Sequence, residues 1–219
     1  MVETNTQELD WDEYDATEEI TAEDQKGSES MERTLLIGKF VCEVTDVTLK
    51  EASFFAGLQV DLKMRIDHVM EFQQAVKTKD GKAVLRKDGD GIEVPLEKVL
   101  PIDPELQDEI NALVCGQHIF DQIKYPEEDE KGSAKRRRLF VAKRMGLIDQ
   151  KAETMALSVW KTAVGIQIVV DNEKNAYFSK KKNEDVINAQ VAYGGYTSLE
   201  NAGFDPELLA INDDDFDDI

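Results

Sequence analysis

Aromatic and basic side chains are the groups in this sequence with the clearest binding chemistry. Unpaired nucleic-acid bases stack on aromatic rings for about 1–3 kcal/mol each, and lysine and arginine neutralise phosphates. Most single aromatics pack in a core, so only some of the sixteen rings are candidates. The rings that we expect on strands or loop tips, where a groove could form, are Phe40, Phe54, Phe55, Tyr125, Trp160, Tyr177, Phe178, Tyr193 and Tyr196.

Basic residues are concentrated at 131–148, a stretch that contains seven bases and no acid. Its pattern predicts a helix at 134–148. Cations in the first turn of a helix oppose its dipole, at about 0.3–1 kcal/mol each. Three consecutive arginines there indicate an external anion such as a phosphate. The alternative is that the acidic run 127–130 neutralises them within the chain. The seven bases are Lys131, Lys135, Arg136, Arg137, Arg138, Lys143 and Arg144.

The two ends of the chain are strongly acidic, whereas its middle is nearly neutral. Residues 1–30 carry eleven acids and one base, and residues 205–219 carry seven acids and no base, so most of the net charge of −20 lies in two arms. We expect residues 1–32 to be a disordered arm, because they contain few large apolar groups. This arm is either a solvating tail or a partner-binding segment anchored by Trp11 and Tyr14.

The C-terminal arm has apolar groups between its aspartates. A bare acidic end usually only solubilises a protein. Phe216 and Ile219 instead favour docking into an apolar pocket with a basic rim on a partner, or competition with DNA for the protein's own groove. The candidate partner-binding residues are Asp213, Asp214, Asp215, Phe216, Asp217, Asp218 and Ile219.

Several classes of protein are disfavoured by what the sequence lacks. It has no P-loop, zinc-protease or serine-hydrolase motif, so we expect no enzyme. Two cysteines make neither a disulfide framework nor a zinc site, and the acidic turn at 88–91 has Arg86 where a calcium loop needs its first carboxylate. We therefore expect no cofactor and no metal. Without a membrane-length apolar run or a secretory signal, the expected compartment is the cytoplasm.

The hydrophobic pattern predicts five antiparallel strands and one helix between the third and the fourth. Alternation is cleanest from Leu58 to Ile66, where apolar and polar residues take turns. Further strands are predicted from Leu35, at 118–125, after Trp160 and at 187–193. This order matches the OB-fold, a partly open five-stranded barrel that binds oligonucleotides.

The predicted organisation is one mainly β domain with some α structure between two acidic arms. The OB-fold barrel occupies 33–204, with an inserted loop and helix region at about 73–116, and is followed by the acidic tail at 205–219. The insertion is longer than a simple five-stranded barrel needs.

Short stretches along the chain carry a family resemblance. They are IGKF at 37–40, TLKE at 48–51, IFD at 119–121, YPEED at 125–129, KRRRL at 135–139, GL at 146–147 and VGIQI at 164–168. Their order and spacing resemble bacteriophage single-stranded-DNA-binding proteins of the OB-fold type. The acidic tail is similar to the tails of bacterial and phage proteins of this kind, which recruit replication and repair enzymes, although it lacks a proline and a terminal phenylalanine.

The resemblance implies sequence-independent binding and protection of single-stranded DNA in phage replication or recombination, in the host cytoplasm, with partners recruited by the tail. An acidic DNA mimic that occupies a DNA-binding partner, or a virion structural component, is the alternative. The expected DNA-binding residues are Lys39, Phe54, Phe55, Lys63, Arg65, Lys124, Tyr125, Arg136, Arg137, Arg138, Tyr177, Phe178, Lys180, Lys181 and Lys182.

Overall fold

A computed structural model describes residues 35–87, 91–179 and 183–209. The fold is mainly β, and its principal sheet is strongly curled into a half-barrel. In chain order the elements are strands β1 (Gly38–Glu51), β2 (Gly57–Ala75), β3 (Leu85–Lys87), β4 (Glu93–Pro95) and β5 (Glu97–Pro101), helix α1 (Gln107–Val114), strand β6 (His118–Pro126), helix α2 (Ser133–Arg144), strands β7 (Gln167–Ser179) and β8 (Glu184–Thr197), and a short helix α3 (Leu199–Ala202).

The half-barrel has the strand order β6-β2-β1-β7-β8, and all of its pairings are antiparallel. Strand β2, with 19 residues, is long enough to have two different neighbours on one side. Its first part pairs with β6, and Glu71–Ala75 pairs with β5. The other side of β2 pairs with β1. The centre of the half-barrel is therefore β1 and β2.

The alternation predicted for β2 is confirmed. Val60, Leu62, Met64 and Ile66 are buried on the inner face, and the residues between them lie on the outer face. Trp160 is also buried, but it lies in a 3₁₀ helix at Leu157–Ala163 that precedes β7 rather than leading directly into a strand. The core thus fills the concave side of the curled sheet and leaves the outer faces of the strands for other contacts.

The barrel is open between β6 and β8, which are not hydrogen-bonded to each other in the described part of the chain. We call this gap the seam. The Asp121 carboxylate, on the inner side of β6, links the two sides of the seam. It accepts hydrogen bonds from Arg137 of α2, at 2.8 and 3.1 Å, and from the buried Tyr196 hydroxyl of β8, at 2.7 Å. Helix α2 and this side-chain network therefore replace the missing strand pairing.

The predicted insertion contains strands as well as a helix. Strands β3 and β4 form a small separate hairpin, and β5 joins the main sheet beside the end of β2. Helix α1 packs on β2 through Asn111, whose side-chain oxygen accepts the Val69 amide at 3.1 Å. The insertion thus lies against the last part of β2, away from the first part that pairs with β6.

The last described residues form a cap on the outer face of β1 and β7. Phe204 is buried with Val41 and Val169, and Leu209 packs against the same cluster. The boundary that we expected between the barrel and the acidic tail, at 204/205, falls within this packed segment. Among the described residues, no helix is long and apolar enough to cross a membrane.

Candidate nucleic-acid interface

An exposed aromatic ring marks the outer face of β2 and β6. Ile119 and Ile123 of β6 point into the core, so Phe120 between them faces outward and keeps 65% of its surface exposed. Lys63 of β2 lies directly opposite Phe120 in the strand register, and Lys124 occupies the same face of β6. The strand pairing therefore places a solvent-facing ring beside two lysines.

The cations of this face differ in whether they have acidic partners. Arg65 pairs with Glu43 at 2.7 Å and with Asp67 at 2.8 Å. Lys63 and Lys124 form no ion pair within the described segments, and the Lys124 ammonium lies 5.9 Å from the Phe55 ring centroid. These two lysines are the charges that remain available to a bound anion.

The ionisation of His118 reflects its surroundings. Its ring lies 6.4 Å from that of Phe120, at the end of the same face. Partial burial lowers the pKa of His118, and the neighbouring Lys63 and Arg65 lower it further. A neutral imidazole is thus favoured first by burial and then by the positive charges beside it, and such a positive potential also attracts phosphates. We call Lys63, His118, Phe120, Lys124 and Phe55 the outer patch.

The loop between β1 and β2 supplies two further rings at one end of the outer patch. Phe54 is 92% exposed, whereas Phe55 is half-buried under Lys124. The loop ends at Gly57, where the backbone has a φ of +134° and a Cβ would come 2.3 Å from the Tyr125 carbonyl oxygen. Glycine therefore holds the loop close against β6.

The seam forms a cleft of about 510 Å³ that adjoins the outer patch. Phe120 and Lys124 line its β6 side, and Tyr193 lines its β8 side with 57% of its surface exposed. The Tyr193 hydroxyl donates to the Ser133 carbonyl at 3.2 Å, which fixes that ring beside the start of α2. The cleft therefore has aromatic groups on both of its sides.

The basic helix predicted after the acidic run is confirmed as α2, but two of its arginines, just beyond the first turn, are bound to the protein itself. Arg137 bonds to Asp121, and Arg138 donates to the Lys124 carbonyl at 2.8 Å while its guanidinium lies 4.2 Å from the Tyr125 ring centroid. Both cover the free edge of β6. Arg136 is exposed, whereas Arg137 and Arg138 are partly buried and line the cleft at the seam.

The start of α2 is capped from outside the helix. Its N-cap residue is Gly132, which has no side chain to accept the first amides. The Asp129 carboxylate instead accepts the backbone amides of Lys135 at 2.8 Å and Ala134 at 3.4 Å. These bonds lower the pKa of Asp129. Asp129 therefore caps the start of the helix through its backbone amides, whereas the acid that pairs with an arginine of this run is Asp121, outside the acidic stretch 127–130.

Other expected DNA-binding residues have partners within the protein or lie on other elements. Lys39 pairs with Glu71 at 2.7 Å near the opposite end of β2. Tyr125 is half-buried, and its hydroxyl accepts the Trp160 indole proton at 2.6 Å. Tyr177 and Phe178 are exposed on the hairpin formed by β7 and β8. Residues 180–182 and 213–219 lie outside the described residues.

Several of the expected residues are thus brought together, and others were missed. Phe55, Lys63 and Lys124 meet in the outer patch, with Phe54 and Arg65 beside it. Sequence reasoning did not select Phe120 or His118. Strict alternation in HIFDQIKY could have found them, because burial of Ile119 and Ile123 requires the residues between to face outward. Of the other rings considered, Phe40, Trp160 and Tyr196 are fully buried.

No protein-family model matches this chain, and no curated protein has significant sequence similarity to it.

Proposed function

We propose that this protein is a non-enzymatic single-stranded-DNA-binding protein built on an OB-type barrel. Support for the barrel type comes from two features: the five long strands lie side by side in the order β6-β2-β1-β7-β8, and along the chain α2 lies between the third of them, β6, and the fourth, β7. In an OB-fold the face of the second and third strands binds oligonucleotides. Here those strands are β2 and β6, which carry the outer patch.

The observation that carries the proposal is Phe120, an exposed ring in mid-strand with Lys63 opposite it and Lys124 on the same face. Leaving such a ring in water costs hydrophobic free energy that stacking on a base regains. The lysines beside it have no acidic partner in the described part of the chain, so they can contact phosphates on either side of a stacked base.

Single strands suit this arrangement better than duplexes. Stacking on Phe120 needs an unstacked base, whose face a duplex hides between its neighbours. Every base has such a face, so stacking tolerates any sequence. The outer patch therefore favours ssDNA, with little dependence on sequence from this contact.

We test the role of Phe120 with the Phe120→Ala variant and fluorescence anisotropy of a labelled oligonucleotide. Loss of one stacked base should weaken ssDNA binding by about 1–3 kcal/mol, which is roughly 5- to 150-fold. The melting temperature should change little, because the ring is mostly exposed. Leu113→Ala is the matched control, since Leu113 on α1 is 62% exposed and lies away from the patch. Equal affinity of Phe120→Ala and Leu113→Ala would contradict the proposal.

The biological setting is also part of the proposal. The resemblance supports phage replication or recombination in the host cytoplasm as the process, with the tail at 213–219 recruiting partners. Replacing Phe216 and Ile219 by serine keeps every aspartate of the tail. It should abolish capture of replication proteins while ssDNA affinity is retained. Unchanged capture would remove the docking role from these two side chains.

A further inference from the structure

The seam contains a polar atom that the fold leaves without a partner. The side-chain oxygen of Asn188, on β8, is buried and accepts no hydrogen bond from the described residues. A buried acceptor without a donor costs about 1–3 kcal/mol, so folds rarely leave one. Asn188 lines the cleft at the seam. A ligand that brings a donor into the cleft would recover that cost.

Two other amide side chains line the same cleft. Gln190 lies on the same side of β8 as Asn188, since they are two residues apart in the strand, and its side-chain nitrogen makes a long contact of 3.4 Å with a carboxylate oxygen of Glu173. Gln122 lies on the face of β6 that also carries Phe120. Carboxamides pair with base edges because they offer a donor and an acceptor side by side.

We propose that the seam receives one unstacked base of the bound strand and favours adenine over thymine. This inference rests on the proposed function and adds to it one position at which the protein distinguishes between bases. The two exposed rings, Phe120 and Tyr193, provide apolar walls for a planar group, and the amide oxygen of Asn188 accepts a hydrogen bond from the exocyclic amino group of adenine.

Thymine is a poorer partner for the unpaired side-chain oxygen of Asn188. Its ring N–H stands between two carbonyl oxygens, which repel an approaching amide oxygen, and it has no amino group. The binding of the strand as a whole still comes from stacking and phosphate contacts, which do not depend on sequence. The seam adds a modest preference at one position.

The experiment compares three labelled oligonucleotides that differ in one central nucleotide: oligo(dT), oligo(dT) with one dA, and oligo(dT) with one purine deoxynucleoside that lacks the amino group. The wild-type protein should bind the dA strand about threefold to tenfold more tightly than the other two, the gain expected from one hydrogen bond. The amino-free purine controls for the stronger stacking of a purine ring.

Three variants assign the effect. Asn188→Leu should abolish the preference for dA while retaining affinity for oligo(dT). Tyr193→Leu should weaken binding of all three strands, because it removes one wall. Asn175→Leu is the control, since Asn175 faces Asn188 across the β7–β8 pairing but does not line the cleft, and it should keep the preference.

Two results would overturn the inference without touching the proposed function. One is equal binding of all three strands by the wild type. The other is a preference for dA that survives in Asn188→Leu, which would assign it to stacking elsewhere. Failure of the wild type to bind any of the three strands would instead contradict the proposed function itself.

Discussion

At the scale of single residues, the cations of this protein divide into those that hold the fold together and those that are open to a ligand. The Arg137 side chain is 17% exposed and bonds to Asp121, whose side chain is 10% exposed. Asp121 also accepts a hydrogen bond from the Tyr196 hydroxyl. Lys63 and Lys124 make no such pair in the described segments. The division follows from position: Asp121 is on the inner side of β6, whereas both lysines lie on outer faces.

Replacing Arg137 and Arg136 one at a time should separate these two roles. Arg137→Ala leaves a nearly buried carboxylate without its cation, so the free energy of unfolding should fall by about 3 kcal/mol. Arg136→Ala removes the same charge from the same turn, yet stability should hold or rise by about 0.3–1 kcal/mol, because the dipole repulsion is relieved.

Chemical denaturation measures the stabilities of both variants, and anisotropy measures their ssDNA affinities. Arg136→Ala should weaken ssDNA binding with a shallower salt dependence. Equal stability of the two variants would show that the Asp121 pair does not hold the seam.

The burial of His68 predicts a pH effect on stability. Its ring packs 5.0 Å from Phe204, and its Nδ1 lies 3.3 Å from the Asn111 amide nitrogen. Burial lowers the pKa of His68 below its ordinary value of 6.5. The unfolded chain then takes up a proton more readily than the fold, so this contribution is present above pH 6.5 and is lost as the pH falls through that value towards the lower pKa of the folded state.

Thermal melts on either side of the imidazole pKa, at roughly pH 7.5 and roughly pH 5.5, measure this effect. The melting temperature of the wild type should fall on acidification, and that of His68→Gln should fall less. The lowered pKa of His118 acts in the same direction in both proteins. An equal fall in both proteins would assign the effect to other groups.

At the scale of elements, local patterns predicted β2, β6 and α2 because each has a clear period. Alternation in β2 needs only one buried face, and that face was visible in the sequence. The hydrophobic period of β6 could not show that Asp121, on the inner side of the strand, pairs with an arginine of α2. That pairing depends on how two elements pack in space. Arg137 and Tyr125, both expected to contact DNA, likewise have hydrogen-bond partners inside the protein.

The C-terminal cap is another feature that depends on packing in space and that sequence patterns do not show. It leads to a prediction about truncation. The acid content placed the start of the tail at 205, but Phe204 and Leu209 cover Val41 and Val169. Ending the chain after Gly203 should therefore lower the free energy of unfolding by about 3 kcal/mol, as for loss of a buried phenylalanine. Ending it after Leu209 removes five aspartates and should leave stability unchanged.

The shorter deletion is the one that tests the tail alone. A tethered acidic segment competes with DNA at a high effective concentration, so ending the chain after Leu209 should tighten ssDNA binding, most strongly at low salt. Melting curves and anisotropy at two salt concentrations measure both effects. Unchanged affinity would leave the tail as a solubilising end.

At the scale of the whole molecule, the distribution of charge is what reconciles a net charge of −20 with binding to a polyanion. The acids are concentrated at the two ends of the chain, and helix α2 has six bases and no acid in 12 residues. The outer patch and the first turn of α2 border the same seam, so the accessible cations lie beside the exposed rings. Composition predicted this separation, but only the register of β2 and β6 identified which rings and lysines adjoin.

The most direct test of the central claim is a titration of the full-length protein with ssDNA and with duplex of the same length, at about 50 mM and about 200 mM salt. If three to five phosphates are contacted, the slope of about −0.7 per contact predicts a loss of affinity for ssDNA of roughly tenfold to a hundredfold between the two concentrations. We expect this loss together with weaker binding of the duplex at both concentrations. Equal affinity for duplex and single strand, or ssDNA binding that salt does not weaken, would contradict it.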